Sequence, residues 1–251
     1  MRRFLYGLRV FGIDPVNTAR ALLNVPRFFR DLFSFLYQGG FKSKTKLSPS
    51  LLDFSDKAGS ADGHYFWQDL ITAQWIFAES PKKHLDIGSR VDGFIAHLLS
   101  FRKVTVLDIR EGSKEIPGLT TIVGDAQLDL SSTTGMFPSV SSLHSIEHFG
   151  LGRYGDQIDT KGHIKGLINI SNCVEIGGSF YVSFPIGKDV VEFNSQRVIN
   201  PRILKINLQN FEVKKFVLIP WRGKPTFDAN IENVNLEVQG QAGLFHLVRK
   251  F

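Results

Sequence analysis

Short apolar segments rich in β-branched residues alternate with longer segments of helical spacing over residues 51–251 of this chain. This alternation is typical of a parallel sheet whose successive strands are joined by crossover helices. The pattern therefore predicts an α/β domain. The expected strands are 82–88, 103–110, 119–125, the start of 139–148 and 177–187, and the expected helices are 64–80, 92–101 and 161–175.

Two further β-rich segments close the chain, "FEVKKFVLI" (211–219) and "GLFHLVRKF" (243–251), and the glycine-containing turn "QGQAG" precedes the second. Neighbouring terminal strands of this kind can pair antiparallel. We therefore expect a mostly parallel seven-stranded sheet that ends in an antiparallel C-terminal hairpin. This outline resembles the Rossmann-like fold of class I methyltransferases. A Rossmann NAD-binding fold is the alternative, but no G-x-G-x-x-G follows the first strand and the hairpin fits that fold poorly.

The positive charge of the chain is concentrated at its N-terminus. Residues 1–46 hold nine Lys and Arg against two Asp, a net charge of +7, and the remaining 205 residues sum to −1. A nucleic-acid-binding domain would carry its basic residues on the folded domain itself, so this distribution argues against a nucleic-acid partner. The basic residues are Arg2, Arg3, Arg9, Arg20, Arg27, Arg30, Lys42, Lys44 and Lys46.

The aromatic and basic residues of this extension predict an amphipathic helix, for which two roles are possible. The apolar residues either dock on the protein's own core or lie in the interface of an anionic membrane. No apolar run reaches the 18 or more residues of a membrane span, and charged residues interrupt the apolar core that a signal peptide needs. The apolar residues are Phe28, Phe29, Leu32, Phe33, Phe35 and Leu36, and the interrupting charges are Arg9, Asp14 and Arg20.

Domain organisation and compartment follow from simple features. The polar, basic, Gly/Ser-rich segment 38–50 is typical of a linker, so we predict a helical extension with linker at 1–50 and a methyltransferase-like α/β domain at 51–251. The single cysteine, Cys173, excludes an intrachain disulfide and favours a reducing compartment. We expect a cytoplasmic protein, peripheral at the inner face of the membrane if the extension binds lipid.

In an open α/β sheet, ligands bind outside the carboxyl ends of the strands, so the strand ends are the candidate site. The first strand ends in "LDIGSRVDGF", which resembles the Asp/Glu-x-Gly-x-Gly-x-Gly motif of methyltransferases that use S-adenosylmethionine. Asp86 and Gly88 match it, Arg90 replaces the second glycine, and Gly93 comes one place late. The expected cofactor contacts are Asp86, Gly88, Ser89, Arg90 and Gly93.

The next two strand ends continue the same pattern. Asp108 ends the second strand 20 residues after Gly88, the position of an acid that accepts hydrogen bonds from ribose hydroxyls. Gly124-Asp125 at the third strand end resembles the corner that reads the adenine amino group. Asp86 and Asp108 could alternatively be helix caps, a frequent use of Asp. The further expected cofactor contacts are Ile109 beside Asp108, Ala126 beside Asp125, and Gln68 with Asp69 at the polar end of the cofactor.

The fourth strand runs into "LHSIEHFGLGRYGD" (143–156), whose His-x-x-Glu-His pattern is shared with a class of zinc proteases. A zinc site would need both histidines on one helix, but the flanks are β-rich and glycine-rich, and no third ligand is evident. We therefore expect no metal. The candidate catalytic residues are His148 as general base, His144 as second choice, and Glu147 as an orienting group; the alternative is that Glu147 and His148 only hold the loop.

Candidate acceptor contacts lie in two segments. Arg153, Tyr154 and Asp156 could bind a polar or anionic acceptor, since arginine suits carboxylate and phosphate groups. Trp221 and Arg222, in the segment 221–235 between the last two strands, could stack on or pair with a sugar acid; an ordinary surface loop is the alternative.

Several segments resemble the domain of unknown function 268 family, over about residues 57–190. They are "GHYFWQDLITAQWIF", "HLDIGSRVDGFIAHL", "VTVLDIR" and "SIEHFGLGRYGD". Members occur in nematodes and in bacterial surface-polysaccharide gene sets. The strand-end residues predict an S-adenosylmethionine-dependent O-methyltransferase. The family context implies no reaction, but it suggests a sugar hydroxyl of a surface glycan or its precursor as the acceptor. The alternative is a non-catalytic methyltransferase-like scaffold of a polysaccharide assembly complex. The oligomeric state stays open.

Overall fold

The computed structural model describes residues 11–39, 46–54, 56, 59, 61, 63–112 and 115–251. The chain divides into two compact units, Met1–Ser60 and Ala61–Phe251. The basic residues Arg2, Arg3, Arg9, Lys42 and Lys44, and residues 40–45 of the predicted linker, lie outside the described residues. Within the described part of the chain, no helix combines the length and the apolar character needed to cross a membrane.

In the described residues of the first unit, one long helix is present, α1 (Pro15–Tyr37). Asp14 caps its N-terminus by accepting a hydrogen bond from the Asn17 N–H at 3.1 Å, and Pro15 follows at the first helical position, where a missing N–H costs nothing. The segment 46–54 contacts the helix: Asn24 donates to the carbonyl of Leu51 at 2.7 Å. The predicted amphipathic helix is thus present, and none of its residues is buried.

The second unit is built on a seven-stranded sheet of β1 (Leu85–Ile87), β2 (Val104–Asp108), β3 (Leu119–Val123), β4 (Phe137–Leu143), β5 (Val174–Pro185), β8 (Phe211–Pro220) and β9 (Gln241–Arg249). The strands lie in the order β3-β2-β1-β4-β5-β9-β8. Strands β1 to β5 run parallel, while β9 pairs antiparallel with both β5 and β8. The predicted mostly parallel sheet with an antiparallel C-terminal hairpin is therefore confirmed.

Helices connect the parallel strands and cover both faces of the sheet. In α2 (His64–Glu79) the buried residues Gln68, Thr72 and Ile76 recur four apart, so one side of the helix packs inward. The others are α3 (Ala96–Leu99), which directly continues a π-helical turn (Val91–Ile95), α4 (Ser131–Thr134), α5 (Gly162–Asn172), α6 (Arg202–Asn207) and the 3₁₀ turns Ile146–His148 and Ile231–Asn233.

The apolar core lies on the two sides of the sheet. Along β5, Phe180 and Phe184 belong to one buried cluster and Tyr181 to the other, as the alternation of side chains across a strand requires. The first cluster includes Leu167 of α5, and the second includes Ile76 of α2. Because both faces are covered, as in parallel sheets generally, a ligand has access at the carboxyl ends of the strands.

A small hairpin was not predicted from the sequence. It pairs β6 (Val190–Glu192) with β7 (Gln196–Val198) outside the main sheet. Each strand has only three residues, too few for a recognisable alternation of apolar and polar side chains. The segment after β8 also folds back onto that strand, which was not predicted: Thr226 and Leu218 of β8 exchange two backbone hydrogen bonds.

Candidate functional site

The carboxyl ends of β1, β2, β3 and β4 open into one cleft of about 870 Å³. Ligand pockets in proteins typically have roughly 300–1,000 Å³, so the cleft is large enough for a nucleoside-sized molecule. Most of the sequence-predicted site residues line it: Gln68, Asp69, Gly88, Ser89, Arg90, Gly93, Asp108, Ile109, Gly124, Asp125, Ala126, His144, His148, Arg153, Tyr154 and Asp156.

The turn after β1 requires its glycine. Gly88 has a φ of 77°, and a Cβ atom there would lie 2.1 Å from the Oγ of Ser145. Both the backbone conformation and the close approach of Ser145 therefore exclude a larger residue. The N–H of Gly88 donates to the carbonyl of Leu107 on β2 at 2.9 Å, which ties the turn to the neighbouring strand.

The late glycine of the motif coincides with a π-helical turn. The N–H groups of Ile95 and Ala96 bond to the carbonyls of Arg90 and Val91, five residues earlier. A π-turn accommodates one residue more than an α-turn, and such turns often occur at functional sites. Gly93 lies inside it with φ −119° and ψ −109°, and a Cβ atom there would lie 3.1 Å from Asp69 Oδ2. The extra residue that the π-turn accommodates thus accounts for the position of Gly93, one place later than in the methyltransferase motif.

Asp86 lies beneath the cleft and does not line it. Its carboxylate accepts hydrogen bonds from the Ser89 N–H at 3.0 Å, the Ser89 hydroxyl at 2.8 Å and the Ser141 hydroxyl at 2.5 Å. Burial raises the pKa of Asp86 to about 6, and the hydrogen bonds from Ser141 and Ser89 oppose that rise. The side chain predicted to contact the cofactor therefore shapes the loop around Gly88 from below.

Asp108 lines the cleft at the end of β2, and Arg110 pairs with its carboxylate. The Arg110 guanidinium donates from Nε at 2.8 Å and from Nη2 at 2.6 Å, and its backbone N–H donates at 2.8 Å. The guanidinium also lies 4.4 Å from the centre of the Tyr154 ring. The contact is bidentate and the Asp108 side chain is only 18% exposed, so a ligand hydroxyl at Asp108 would have to displace the Arg110 guanidinium.

Two more acids line the cleft. Asp125, after β3, accepts hydrogen bonds from the N–H of Gln127 at 2.8 Å and from its side-chain amide at 3.3 Å. Asp69, on α2, accepts one from Gln68 at 3.1 Å, and burial raises its pKa to about 7. Gln68 is fixed in turn by the hydroxyl of Ser183, which donates to its Oε1 at 2.5 Å.

The His-x-x-Glu-His stretch is a strand end followed by a single 3₁₀ turn, so its histidines do not share an α-helix. His144 has a positive φ of 47°, and its Nδ1 lies 2.7 Å from Oε1 of the fully buried Glu147. His144 Nε2 and Glu147 Oε2 are buried without a hydrogen-bond partner. Among the residues that the structure describes, no group of three or more His, Cys, Asp or Glu is arranged to hold a metal ion.

His148 lines the cleft with a defined tautomer. Its Nδ1 lies 2.8 Å from the backbone carbonyl of Ser195, and a carbonyl only accepts, so Nδ1 carries the proton. Burial lowers the pKa of His148, Glu147 opposes that shift, and Arg153 adds to it. The ring is therefore neutral at pH 7, and its Nε2 holds a free lone pair. That nitrogen lies 3.8 Å from Glu147 Oε1.

The glycines at 150, 152 and 155 spell G-x-G-x-x-G, but they follow the 3₁₀ turn and not a strand. The backbone N–H groups of residues 150 and 152 donate to Asp156 Oδ2 at 2.7 and 3.2 Å, and that of Tyr154 donates to Oδ1 at 3.2 Å. The protein's own carboxylate thus occupies the amides that a phosphate would use in a dinucleotide fold. Asp156, predicted to bind the acceptor, holds this loop.

Arg153 and Tyr154 lie beside His148. Arg153 donates from Nη1 to the same Ser195 carbonyl at 2.7 Å, and the Tyr154 ring meets the His148 ring edge-on at 5.8 Å. Within the described residues, Arg153 has no carboxylate partner. These two predicted acceptor contacts therefore border the predicted base.

Arg197 of β7 was missed by the sequence interpretation. It is almost fully buried, and it donates to the carbonyls of Phe149 at 2.5 Å and Asp159 at 3.2 Å. It thereby fastens the loop that carries Arg153 and Tyr154. An arginine in a three-residue strand gives no sequence signal for this role.

A second missed residue is His64 at the start of α2. Its ring stacks in parallel on His144 at 5.3 Å, and Trp221 meets it edge-on at 5.5 Å. Burial lowers the pKa of His64 to about 4, and His144 contributes to the shift. The predicted acceptor contacts Trp221 and Arg222 do not line the cleft; Trp221 lies behind it, next to His64.

The family described as "Caenorhabditis protein of unknown function, DUF268" matches residues 99–236, more than half of the chain. No curated protein matches the chain.

Several solved structures with a similar fold are methyltransferases. N-methyltransferase NodS from Bradyrhizobium japonicum WM9 is 11% identical and covers 76% of this chain and 100% of its own, with a TM-score of 0.54. Its complex with S-adenosyl-L-homocysteine is 12% identical, with 75% and 89% covered and a TM-score of 0.50. An S-adenosylmethionine-dependent methyltransferase from Clostridium acetobutylicum ATCC 824 is 12% identical, with 76% and 94% covered and a TM-score of 0.50. The class I methyltransferase fold is thereby confirmed.

Proposed function

The chain belongs to the DUF268 family, and we propose that it is an S-adenosylmethionine-dependent methyltransferase that transfers a methyl group to a hydroxyl. The observation that carries the proposal is the cleft at the carboxyl ends of β1 to β4, where the Gly88 turn, Asp108 and Asp125 line one wall and His148 another. NodS, which shares the fold, has been solved with the product form of this cofactor.

The charge of the cleft suits this cofactor. S-adenosylmethionine carries a positive sulfur, a positive amino group and one carboxylate, and six acidic residues line the cleft against three arginines. Three of the acids, Asp69, Asp108 and Asp125, lie where the cofactor is expected to bind. Asp108 would accept hydrogen bonds from the ribose hydroxyls in place of Arg110, and Asp125 would accept from the adenine amino group. Asp69 and Gln68 would lie at the amino-acid end. When bound, the cofactor supplies a methyl group on a positively charged sulfur, which is a strong electrophile.

His148 has the features of a general base for a hydroxyl acceptor. The Ser195 carbonyl holds the proton on Nδ1, so Nε2 is free to take a proton from the acceptor oxygen. The buried pair of His144 and Glu147 packs next to it and restricts the ring. Arg153 and Tyr154 would contact the acceptor. A sugar hydroxyl of a surface glycan or its precursor is the proposed acceptor, and family context alone supports that choice.

The acceptor proposal is tested by label transfer. Protein, methyl-labelled S-adenosylmethionine and a panel of sugar acceptors are incubated, and the label is located as an acid-stable methyl ether. We expect transfer by the wild type and a loss of about 10²- to 10⁴-fold in His148→Gln, the usual contribution of a general base. Transfer to nitrogen would contradict O-methylation, and an unchanged rate in His148→Gln would contradict the base assignment.

A non-catalytic scaffold for a polysaccharide assembly complex is the second candidate. It is favoured by Arg90 at the place of a motif glycine and by Arg110, which occupies the Asp108 carboxylate. A scaffold of this kind would bind neither S-adenosylmethionine nor its product. Cofactor binding therefore separates the two candidates before any acceptor is known.

A further inference from the structure

Helix α1 carries a stripe of exposed apolar side chains. Leu22, Phe29, Phe33 and Tyr37 recur at helical spacing along one side and are 67%, 46%, 66% and 92% exposed. Scattered apolar residues are normal on a protein surface, but a continuous stripe rich in aromatic residues marks an interaction site. We name Leu22, Phe29, Phe33 and Tyr37 the α1 stripe.

The helix's contacts within its own unit use a different side. Val25, Phe28, Leu32 and Leu36 are partly buried, and they repeat three or four residues apart on the neighbouring side of the helix. Asn24, whose amide reaches the Leu51 carbonyl, is also partly buried. The α1 stripe and the partly buried set thus lie on neighbouring sides of the helix. The exposed Val16, Leu23 and Phe35 belong to neither.

The charge beside the stripe is positive. Arg20 and Arg27 share the polar side of α1 with Asp31, and Arg30 lies next to the α1 stripe. Asp31 pairs with both Arg27 and Arg30. With three arginines against this one aspartate, the helix carries a net positive charge. The surrounding sequence 1–46 carries +7 in total. A basic helix with an aromatic apolar side fits the interface of an anionic lipid bilayer.

We infer that α1 lies in the plane of an anionic membrane, with the α1 stripe inserted among the lipids and its arginines at the headgroups. A second copy of the chain is a poor occupant, because pairing two stripes would bring two segments of +7 together. A peripheral position of this kind would place the cleft's domain near lipid-linked acceptors, but the inference stands on α1 alone and is independent of the proposed function.

Vesicle co-sedimentation of the full chain tests the inference. We expect binding to vesicles of phosphatidylcholine mixed with phosphatidylglycerol, and much weaker binding to phosphatidylcholine alone. Phe29→Ser with Phe33→Ser should lower binding by about tenfold or more, because the variant no longer buries two phenyl groups among the lipids. The matched control is Phe227→Ser with Phe251→Ser, which removes two exposed phenylalanines of the other unit and should leave binding unchanged.

The charge arm uses Arg20→Gln, Arg27→Gln and Arg30→Gln, singly and together. Each arginine near an anionic surface contributes about 1 kcal/mol, so each substitution should weaken vesicle binding by about fivefold. Added salt should also weaken binding, because it screens the same charges. Circular dichroism and thermal unfolding check that every variant is folded. Three results would overturn the inference: no binding by the folded wild type, equal binding to both vesicle types, or a lipid-free dimer that Phe29→Ser with Phe33→Ser disrupts.

Discussion

At the level of single residues, a chain of hydrogen-bonded, buried polar side chains lies beneath the turn at Gly88. The Ser141 hydroxyl donates to Asp86, so it must accept from Nε2–H of His84, 2.9 Å away. His84 Nδ1 then accepts from the hydroxyl of Ser139 at 2.8 Å. Burial lowers the pKa of His84 to about 3, consistent with a neutral ring. One tautomer of His84 and an ionised Asp86 thus satisfy the whole chain of hydrogen bonds.

Gly88→Ala tests the turn itself, and Gly177→Ala is its matched control. Both glycines have a φ of 77°, but a Cβ atom at Gly177 meets nothing within 4 Å, whereas at Gly88 it would meet Ser145. In both variants the free energy of unfolding should fall by roughly 1–2 kcal/mol, the cost of a left-handed conformation for a residue with a Cβ. In Gly88→Ala alone it should fall by about 1–3 kcal/mol more, because the new methyl group would overlap Ser145. Urea unfolding measures both, and equal losses would refute the close contact.

His64 should make folding stability depend on pH. Its pKa is about 4 in the folded protein, because the ring is buried, and 6.5 when unfolded, so between these values the unfolded state binds more protons. Its contribution to stability is therefore complete above about pH 6.5 and falls as the pH drops towards 4. The buried acids Asp69 and Asp86, whose pKa values are raised, act in the opposite direction.

The variant His64→Gln isolates this contribution from the others. The difference in unfolding free energy between variant and wild type should change with pH by up to about 1.4 kcal/mol per unit between pH 4 and 6.5. His97→Gln, which replaces an exposed histidine of the same unit, is the control. A difference that stays constant over this range would show that His64 is not buried in solution.

At the level of elements, the strands were easier to predict than the contacts between loops. The alternation of apolar runs placed β1 to β5 and the C-terminal hairpin, because it follows from local side-chain periodicity. The π-turn at Val91–Ile95 could not be read from the sequence, since hydrogen-bond register leaves no residue pattern. The hairpin of β6 and β7 was missed for its length, and with it the long-range contacts of Ser195 and Arg197.

Arg197→Ala tests whether this hairpin fastens the loop at 149–159. Without the guanidinium, the carbonyls of Phe149 and Asp159 lose a buried donor, and each such loss costs about 1–3 kcal/mol. We expect lower stability in urea and faster amide exchange in the loop. Arg202→Ala, which removes an exposed arginine paired with Glu232, should change little. Equal effects of the two substitutions would contradict the fastening role of Arg197.

For the whole molecule, the rule that parallel sheets bind ligands at their strand ends predicted most of the site. It brought Gly88, Asp108 and His148 to one cleft although they lie far apart in sequence. The rule could not tell that Asp86 lies beneath the cleft, or that Asp156, which lines the cleft, also holds the glycine loop, because both depend on contacts formed only on folding. Asp86 and Asp156 are both bound by the protein's own donors, and only the folded structure shows it.

Calorimetric titration with S-adenosylhomocysteine tests the central claim, that the cleft binds this cofactor, most directly. The wild type should bind at micromolar concentration, and Asp108→Ala should bind about 100-fold more weakly, as expected for losing about 3 kcal/mol of hydrogen bonding to an ionised group. Glu212→Ala, which removes a partly exposed acid outside the cleft paired with Lys214, is the control and should bind like the wild type. Absence of binding to the folded protein, or equal binding by the wild type and Asp108→Ala, would contradict the account.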